Sequence, residues 1–358
     1  MRNFTTKTKI TFAIFLLISL VSIQYYKDQN HKSSKKMSLP NQIIDPYQHL
    51  HIIPNPNGTI TRLTEFYPSI PPSVSSSLTL SKDVSMNSNN GTWVRIFLPR
   101  TAINGSHPPN RKLPIVVFAH GGGFILHSAA SPVFHNFCSE LTSQLTVLVI
   151  SVEYRLAPES RLPAAYDDVL ELRWVKEGKD DWVKEHGNFS RCVLMGQSAG
   201  ANIVYNAGLK ALDQVNDLRP LTIMGLILIQ PFFGGLDRTG SEVRLVNDPY
   251  LPLVVNDLTW DLALPIEADR GHEFCDPITR GGSNKLSLFN DMGWRVVVVG
   301  CDDDPLLDRQ VELVKLFESK SVIVNFTISD GGHHGVFASD PIKRSELFVI
   351  LEKFLGNL

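Results

Sequence analysis

From Thr92 onward the chain alternates short, continuously apolar runs with stretches whose apolar positions recur at helical spacing. The runs rich in β-branched residues fall at Thr92–Leu98, Leu113–Ala119, Val147–Val152, Cys192–Met195, Ile223–Ile229, Val296–Val299 and Val322–Ile328, and each reads as a strand. Most lack the polar alternation of a half-wet sheet, which predicts strands buried on both faces. Helical stretches separate several of them, as at Pro132–Leu145 and Pro163–Lys176, and Asp340–Leu358 ends the chain in helical spacing. The expected fold is α/β, a mainly parallel central sheet with helices on both faces.

Two regions break this rhythm. From Ser38 to Pro72 the chain is rich in Pro, Asn and Ser, which reads as an irregular arm. Between Pro231 and Asn290 strand signals are scarce, while Pro, Gly, Asp and aromatic residues such as Phe232, Phe233, Tyr250 and Trp260 are frequent. Residues of about 38–90 and 231–290 are therefore expected to cap the sheet, with ordinary packing the expected role of any single aromatic residue.

The amino terminus stands apart. Basic Arg2, Lys7 and Lys9 precede an apolar run, Ile10 to Ile23, that has the length of a signal-peptide core and extends to Tyr26. No A-x-A cleavage pattern follows, so residues 1–36 read as a hydrophobic leader or signal anchor and 37–358 as the catalytic domain. Residues 10–26 would then attach the protein to a membrane or send it into the secretory path, where the sequons at Asn57, Asn90, Asn104, Asn188 and Asn325 become relevant. A start at Met37 instead gives a cytoplasmic protein.

Composition narrows the function classes. With 358 residues, 43% hydrophobic and 20% charged, the chain suits one large globular domain with insertions. Lys plus Arg number 34 against 36 Asp plus Glu, which leaves no basic footprint for nucleic acid. Cys138, Cys192, Cys275 and Cys301 are far apart in sequence with no CxxC pair, so free thiols are expected rather than a zinc or redox site.

The chemistry lies at the ends of the predicted strands. Cys192–Met195 runs into Gly196-Gln197-Ser198-Ala199-Gly200 and then into the helical stretch Ala201–Leu212, a G-x-S-x-G elbow in its strand-turn-helix context. Leu113–Ala119 ends in His120-Gly121-Gly122-Gly123-Phe124. Backbone N–H groups of Gly121 and Gly122, with that of Ala199, are placed to receive an oxyanion. Each such donor contributes roughly 3 kcal/mol in acyl transfer. A phosphate-cradling loop is the other use of such glycines, but no Lys follows them as a P-loop requires. A serine nucleophile needs a base oriented by a carboxylate. Val296–Val299 leads to Asp302, Asp303 and Asp304, and Val322–Ile328 leads to His333 and His334. The order Ser, Asp, His is that of α/β-hydrolases, although the residues themselves leave open which Asp and which His take part.

These residues resemble the plant carboxylesterases of the hormone-sensitive-lipase branch of α/β-hydrolases. The resemblance spans about Asp45 to Leu358 and rests on Asp45-Pro46-Tyr47, Asn55-Pro56-Asn57-Gly58-Thr59, His120–Phe124, Tyr154-Arg155-Leu156-Ala157-Pro158-Glu159, Leu162–Asp168, the Ser198 elbow, Asp304-Pro305-Leu306 and His334-Gly335. It implies Asp304 as the triad acid, because Pro-Leu follows it, and His334 as the base, because Gly follows it. Gln197 departs from the acidic residue usual before the serine. Tyr154–Glu159 and Asp167-Asp168 are expected to hold structure beneath the site through buried hydrogen bonds and an ion pair. The resemblance implies hydrolysis of small-molecule carboxylic esters through an acyl-enzyme, with no metal or organic cofactor. Related proteins act as hormone receptors, having lost the triad histidine, or as lyases, with Thr for the nucleophile. A receptor or lyase is thus the alternative, against which Ser198, Asp304 and His334 are all present.

Overall fold

The computed structural model describes residues 44–73, 78–104, 111–171, 173–278 and 285–358; the predicted leader, residues 1–36, lies outside them. Eight strands form one sheet in the order β10-β9-β8-β7-β5-β6-β4-β3. They are β3 (Thr79–Asn87), β4 (Thr92–Pro99), β5 (Leu113–Ala119), β6 (Leu148–Glu153), β7 (Gly187–Gln197), β8 (Ile223–Ile229), β9 (Arg295–Cys301) and β10 (Ile323–Ser329). A separate antiparallel ribbon joins β1 (Ile52–Pro54) to β2 (Ile60–Arg62). From β6 through β10 every pairing is parallel, and only β4 against β6 and β3 against β4 run antiparallel.

The continuous apolar runs are explained by two cores, one on each face. In β5, Ile115, Val117 and Ala119 join one buried cluster while Val116 and Phe118 join the other. Helices Pro132–Leu145 and Pro341–Gly356 supply apolar residues to the second cluster, and helices Ala199–Ala211 and Leu307–Ser319 to the first. Neither face of a central strand meets water, so neither carries the polar alternation of a solvated sheet.

Two boundaries differ from the sequence reading. Thr79–Asn87 is an edge strand of the main sheet rather than part of a covering arm. Its second half is partly exposed and carries Lys82, Asp83, Ser85 and Asn87, a composition that masks its strand character while suiting an open edge. Likewise β7 begins at Gly187, five residues before its apolar run, because its first part lies toward solvent. The stretch 231–290 contains helices Gly240–Arg244, Leu253–Ala263 and the start of Ser287–Asp291, with no strand among its described residues. Short helix Pro46–His49 of the arm packs against Leu253–Ala263, so arm and insertion meet. Among the described residues no helix is long and apolar enough to cross a membrane.

Candidate active site

The carboxyl ends of the parallel strands gather the candidate residues. Ser198 follows β7 at φ +55° and ψ −122°, a strained conformation that lifts its side chain out of the turn. The turn exists because its flanking glycines admit close backbone. A Cβ on Gly196 would fall 2.1 Å from the Gly200 carbonyl oxygen, and one on Gly200 would fall 2.0 Å from that of Ala119. Ser198 Oγ lies 2.7 Å from His334 Nε2, and His334 Nδ1 lies 3.0 and 3.1 Å from the two carboxylate oxygens of Asp304.

Of the three consecutive acids only Asp304 reaches the imidazole. It is fully buried, and its Oδ1 also accepts from the Leu306 N–H at 2.9 Å. Asp302 accepts from the Gly331 N–H, and exposed Asp303 pairs with Arg244. Likewise only one histidine reaches the serine. The ring of His333 stacks on Tyr250, and its Nδ1 meets the His334 carbonyl oxygen at 2.8 Å.

Beside Ser198 the His120–Phe124 loop passes under the elbow. Among the described residues no protein group accepts from the N–H groups of Gly121, Gly122 or Ala199. Gly122 takes φ +120°, and a Cβ there would sit 2.4 Å from the Leu126 carbonyl oxygen, so only glycine fits. His120 fixes the loop from below. Its ring stacks on Tyr154, whose hydroxyl donates to the His120 carbonyl oxygen at 2.8 Å. Burial drives the His120 pKa down to about 3, so it stands as a neutral ring. Arg155, next to Tyr154, pairs with buried Asp168 at 2.7 Å, and Arg62 pairs with Glu159 at 2.7 Å.

A cavity of about 330 Å³ opens on Ser198, His334 and Gly121–Gly123. Arm residues His49, Leu50 and Tyr67 contribute to its wall, as do Tyr250, Leu251, Val255 and Thr259 of the insertion. Among the described residues no Lys, Arg, Asp or Glu lines it. Clefts of about 570 and 430 Å³ lie instead at the amino-terminal ends of strands, around Ile223 and Trp294 and around Leu113 and Arg191. Ligands in open α/β sheets bind at the carboxyl ends, so the smaller cavity is the relevant one. Of the four aromatic residues singled out in the insertion, Phe232 and Tyr250 line this cavity; Trp260 stacks behind Phe232 and Phe233 packs on Tyr205.

Gln230 and Gln310 escape the motif reading. Each donates from Nε2 to Asp304 Oδ2 at 2.9 Å. A signal for Gln230 exists in the sequence, since it is a polar residue set directly between the apolar strand Ile223–Ile229 and Pro231-Phe232-Phe233. Gln197, which replaces the usual acid, is buried with its Oε1 unpartnered. All four cysteines are free and buried.

Eight mostly parallel strands, with a serine on the sharp turn from the central β7 to its helix, define an α/β-hydrolase. Comparison with known proteins agrees: residues 116–338 match the alpha/beta hydrolase fold family. Carboxylesterase 20 of Arabidopsis thaliana is 46% identical over 326 residues, covering 90% of this chain and all of that protein. A 3-O-acetylpapaveroxine carboxylesterase of Papaver somniferum is 45% identical over 325 residues, covering 87% of this chain and 98% of that one. Among solved structures, an esterase of the archaeon Pyrobaculum calidifontis superposes with a TM-score of 0.64 at 23% identity, covering 79% of this chain and 85% of that one. The chain belongs to the plant carboxylesterases, in the hormone-sensitive-lipase-like branch of the fold, and is a carboxylic ester hydrolase.

Proposed function

We propose that Ser198, His334 and Asp304 form the catalytic triad and that the N–H groups of Gly121, Gly122 and Ala199 form the oxyanion hole. The observation that carries this reading is the hydrogen-bonded line from Ser198 Oγ through both ring nitrogens of His334 to Asp304. In the acylation step His334 Nε2 takes the hydroxyl proton as Ser198 Oγ attacks the ester carbonyl, and the tetrahedral oxyanion meets the three N–H groups. His334 then returns the proton to the leaving alkoxide. Water enters by the same route, with His334 again as base, and releases the acid. Asp304 holds the tautomer with Nδ1 protonated and balances the imidazolium that forms. General-base help contributes about 100- to 10,000-fold and each oxyanion donor a comparable factor.

The uncharged wall of the cavity supports neutral esters as substrates, and a volume near 330 Å³ suits a small acyl or alcohol group, at the low end of ligand pockets. The acetyl ester in the name of the Papaver somniferum relatives supports a short acyl chain. We further propose that 37–358 acts as one catalytic domain, with the arm and the insertion as its cover. The test is turnover of p-nitrophenyl esters from acetate upward by the full chain and by Ser198→Ala, with fluorophosphonate labelling of both. Turnover and labelling confined to the wild type, falling with acyl length, are expected. Turnover by Ser198→Ala overturns the assignment of the nucleophile, and so does a folded wild type that the fluorophosphonate does not label.

A further inference from the structure

We infer that Gln230 is a positioning residue that locks the acid and the base of the triad into one unit, an inference that rests on the triad reading above. Its side chain is fully buried and makes three hydrogen bonds to oxygen and nitrogen, two donated by its two N–H groups and one accepted. Nε2 donates to Asp304 Oδ2 at 2.9 Å and to the His333 carbonyl oxygen at 3.0 Å, and also faces Cys301 Sγ at 3.0 Å. Oε1 accepts from the Gly335 N–H at 2.9 Å. One carboxamide therefore grips the residues on either side of His334 while touching the carboxylate that His334 must face.

Three features separate this from ordinary core packing. Gln230 holds φ at +45°, a left-handed conformation that a non-glycine residue keeps only where its surroundings enforce it. The backbone enforces it from both directions: the Gln230 N–H donates to the Val299 carbonyl oxygen at 2.7 Å, and the Phe232 N–H donates to that of Ser198 at 3.1 Å. The strain thus sits between the nucleophile turn and the strand leading to the acid. Cys301 is a neutral neighbour, since burial pushes its thiol well above the usual range, and it does not compete with Asp304 for charge. The second amide on Asp304 Oδ2, from Gln310, touches neither side of His334. Asp302 and Cys301 also tie the two loops together, through the Gly331 N–H and the His333 carbonyl oxygen, but of the described residues that touch Asp304 it is Gln230 that also holds both neighbours of His334.

Carboxylate donors and histidine orientation both bear on the chemical step. Removing them lowers kcat rather than weakening substrate binding, because Gln230 does not line the cavity. Losing the one hydrogen bond to the charged Asp304, about 1.5–3 kcal/mol, gives a drop of about 10- to 100-fold. Asp304, left with fewer donors, holds the imidazolium more tightly, so the acidic limb of kcat/KM moves to higher pH.

The test compares Gln230→Met, which keeps the length and removes every polar contact, with Gln230→Glu, which keeps the shape and places a second carboxyl group beside Asp304. Both are measured on p-nitrophenyl acetate across pH alongside wild type and Ser198→Ala, with melting temperature as the check on folding. The expected result is a 10- to 100-fold lower kcat in Gln230→Met at nearly unchanged KM, with the acidic limb raised by about one pH unit or more in Gln230→Glu. If Gln230→Met does not fold, the limb of Gln230→Glu decides alone. A kcat within threefold of wild type in folded Gln230→Met, or a limb unmoved in Gln230→Glu, overturns the inference. Activity surviving in Ser198→Ala overturns the triad reading instead, so the two failures are distinguishable.

Discussion

The ring of His333 lies flat on that of Tyr250, with 3.4 Å between centroids and 8° between planes, while the neighbouring His334 reaches Ser198 Oγ. Adjacent histidines thus face different partners, one a wall residue of the cavity and one the proposed nucleophile. His334→Ala is expected to lower kcat by about 1000-fold or more. His333→Ala is expected to leave kcat within about threefold and to change KM, because Tyr250 loses the surface that orients it. Steady-state kinetics on p-nitrophenyl acetate separates the two, and the reverse pattern assigns the base to His333.

A similar asymmetry holds among the three acids. Asp304 is buried against His334, whereas Asp303 is exposed and pairs with Arg244. Asp304→Asn keeps the shape but favours the wrong imidazole tautomer, which costs about 10,000-fold in kcat in serine hydrolases. Asp303→Asn is expected to stay within about twofold, since exposed ion pairs contribute little. Equal losses in both variants would show that the run acts through its charge rather than through one oriented carboxylate.

Much of this candidate site is legible in sequence because the residues proposed to carry its chemistry sit in short motifs at strand ends. The Ser198 elbow, the glycines after β5 and the acid and histidine after β9 and β10 each follow an apolar run that announces the strand. What stays hidden depends on tertiary approach. Gln230 and Gln310 meet Asp304 from separate elements, 74 and 6 residues away in sequence, with no local pattern to mark the encounter. β3 is missed for another reason: an edge strand pairs on one side only and carries polar residues that read as loop. The cavity wall draws on both the arm and the insertion, so its shape follows from packing rather than from periodicity.

Buried histidines set the acid stability. Burial lowers His120 to about 3 and His127 and His135 to about 4, so between pH 4.5 and 6.5 the unfolded chain binds protons at all three that the folded chain refuses. Glu153 works the other way. Burial raises it to about 7, and over the same window the folded chain holds a proton there that the unfolded chain releases. Three against one leaves the unfolded state with about two more protons, so these groups make stability rise with pH by roughly 2.7 kcal/mol per pH unit in this window. Urea unfolding at pH 5 and pH 6 measures the slope. Glu153→Gln, which removes the opposing group, is expected to steepen it, and a shallower slope in that variant would contradict the assignment.

Two glycines near the nucleophile separate fold from chemistry. A Cβ on Gly200 would sit 2.0 Å from the carbonyl oxygen of Ala119 and 2.6 Å from that of His120, both of them backbone atoms that hold the nucleophile helix against β5. Nothing there is a flexible side-chain tip, so Gly200→Ala must separate helix from sheet, at a cost of about 3 kcal/mol or more. A Cβ on Gly121 meets looser surroundings, 3.1 Å from the Gln197 carbonyl oxygen and 3.3 Å from Ser198 Cβ. A displacement of a few tenths of an ångström accommodates it, but the atoms displaced flank the nucleophile and carry a proposed oxyanion donor. Gly121→Ala is therefore expected to keep its urea midpoint close to that of wild type while losing about 10- to 100-fold in kcat, since misplacing one donor forfeits much of its stabilisation. Gly200→Ala is expected to lose its midpoint first, with activity following the folded fraction. Should Gly121→Ala retain full activity at a normal midpoint, the loop after β5 would be a structural turn, and the oxyanion donors would have to be sought among the other N–H groups facing the cavity.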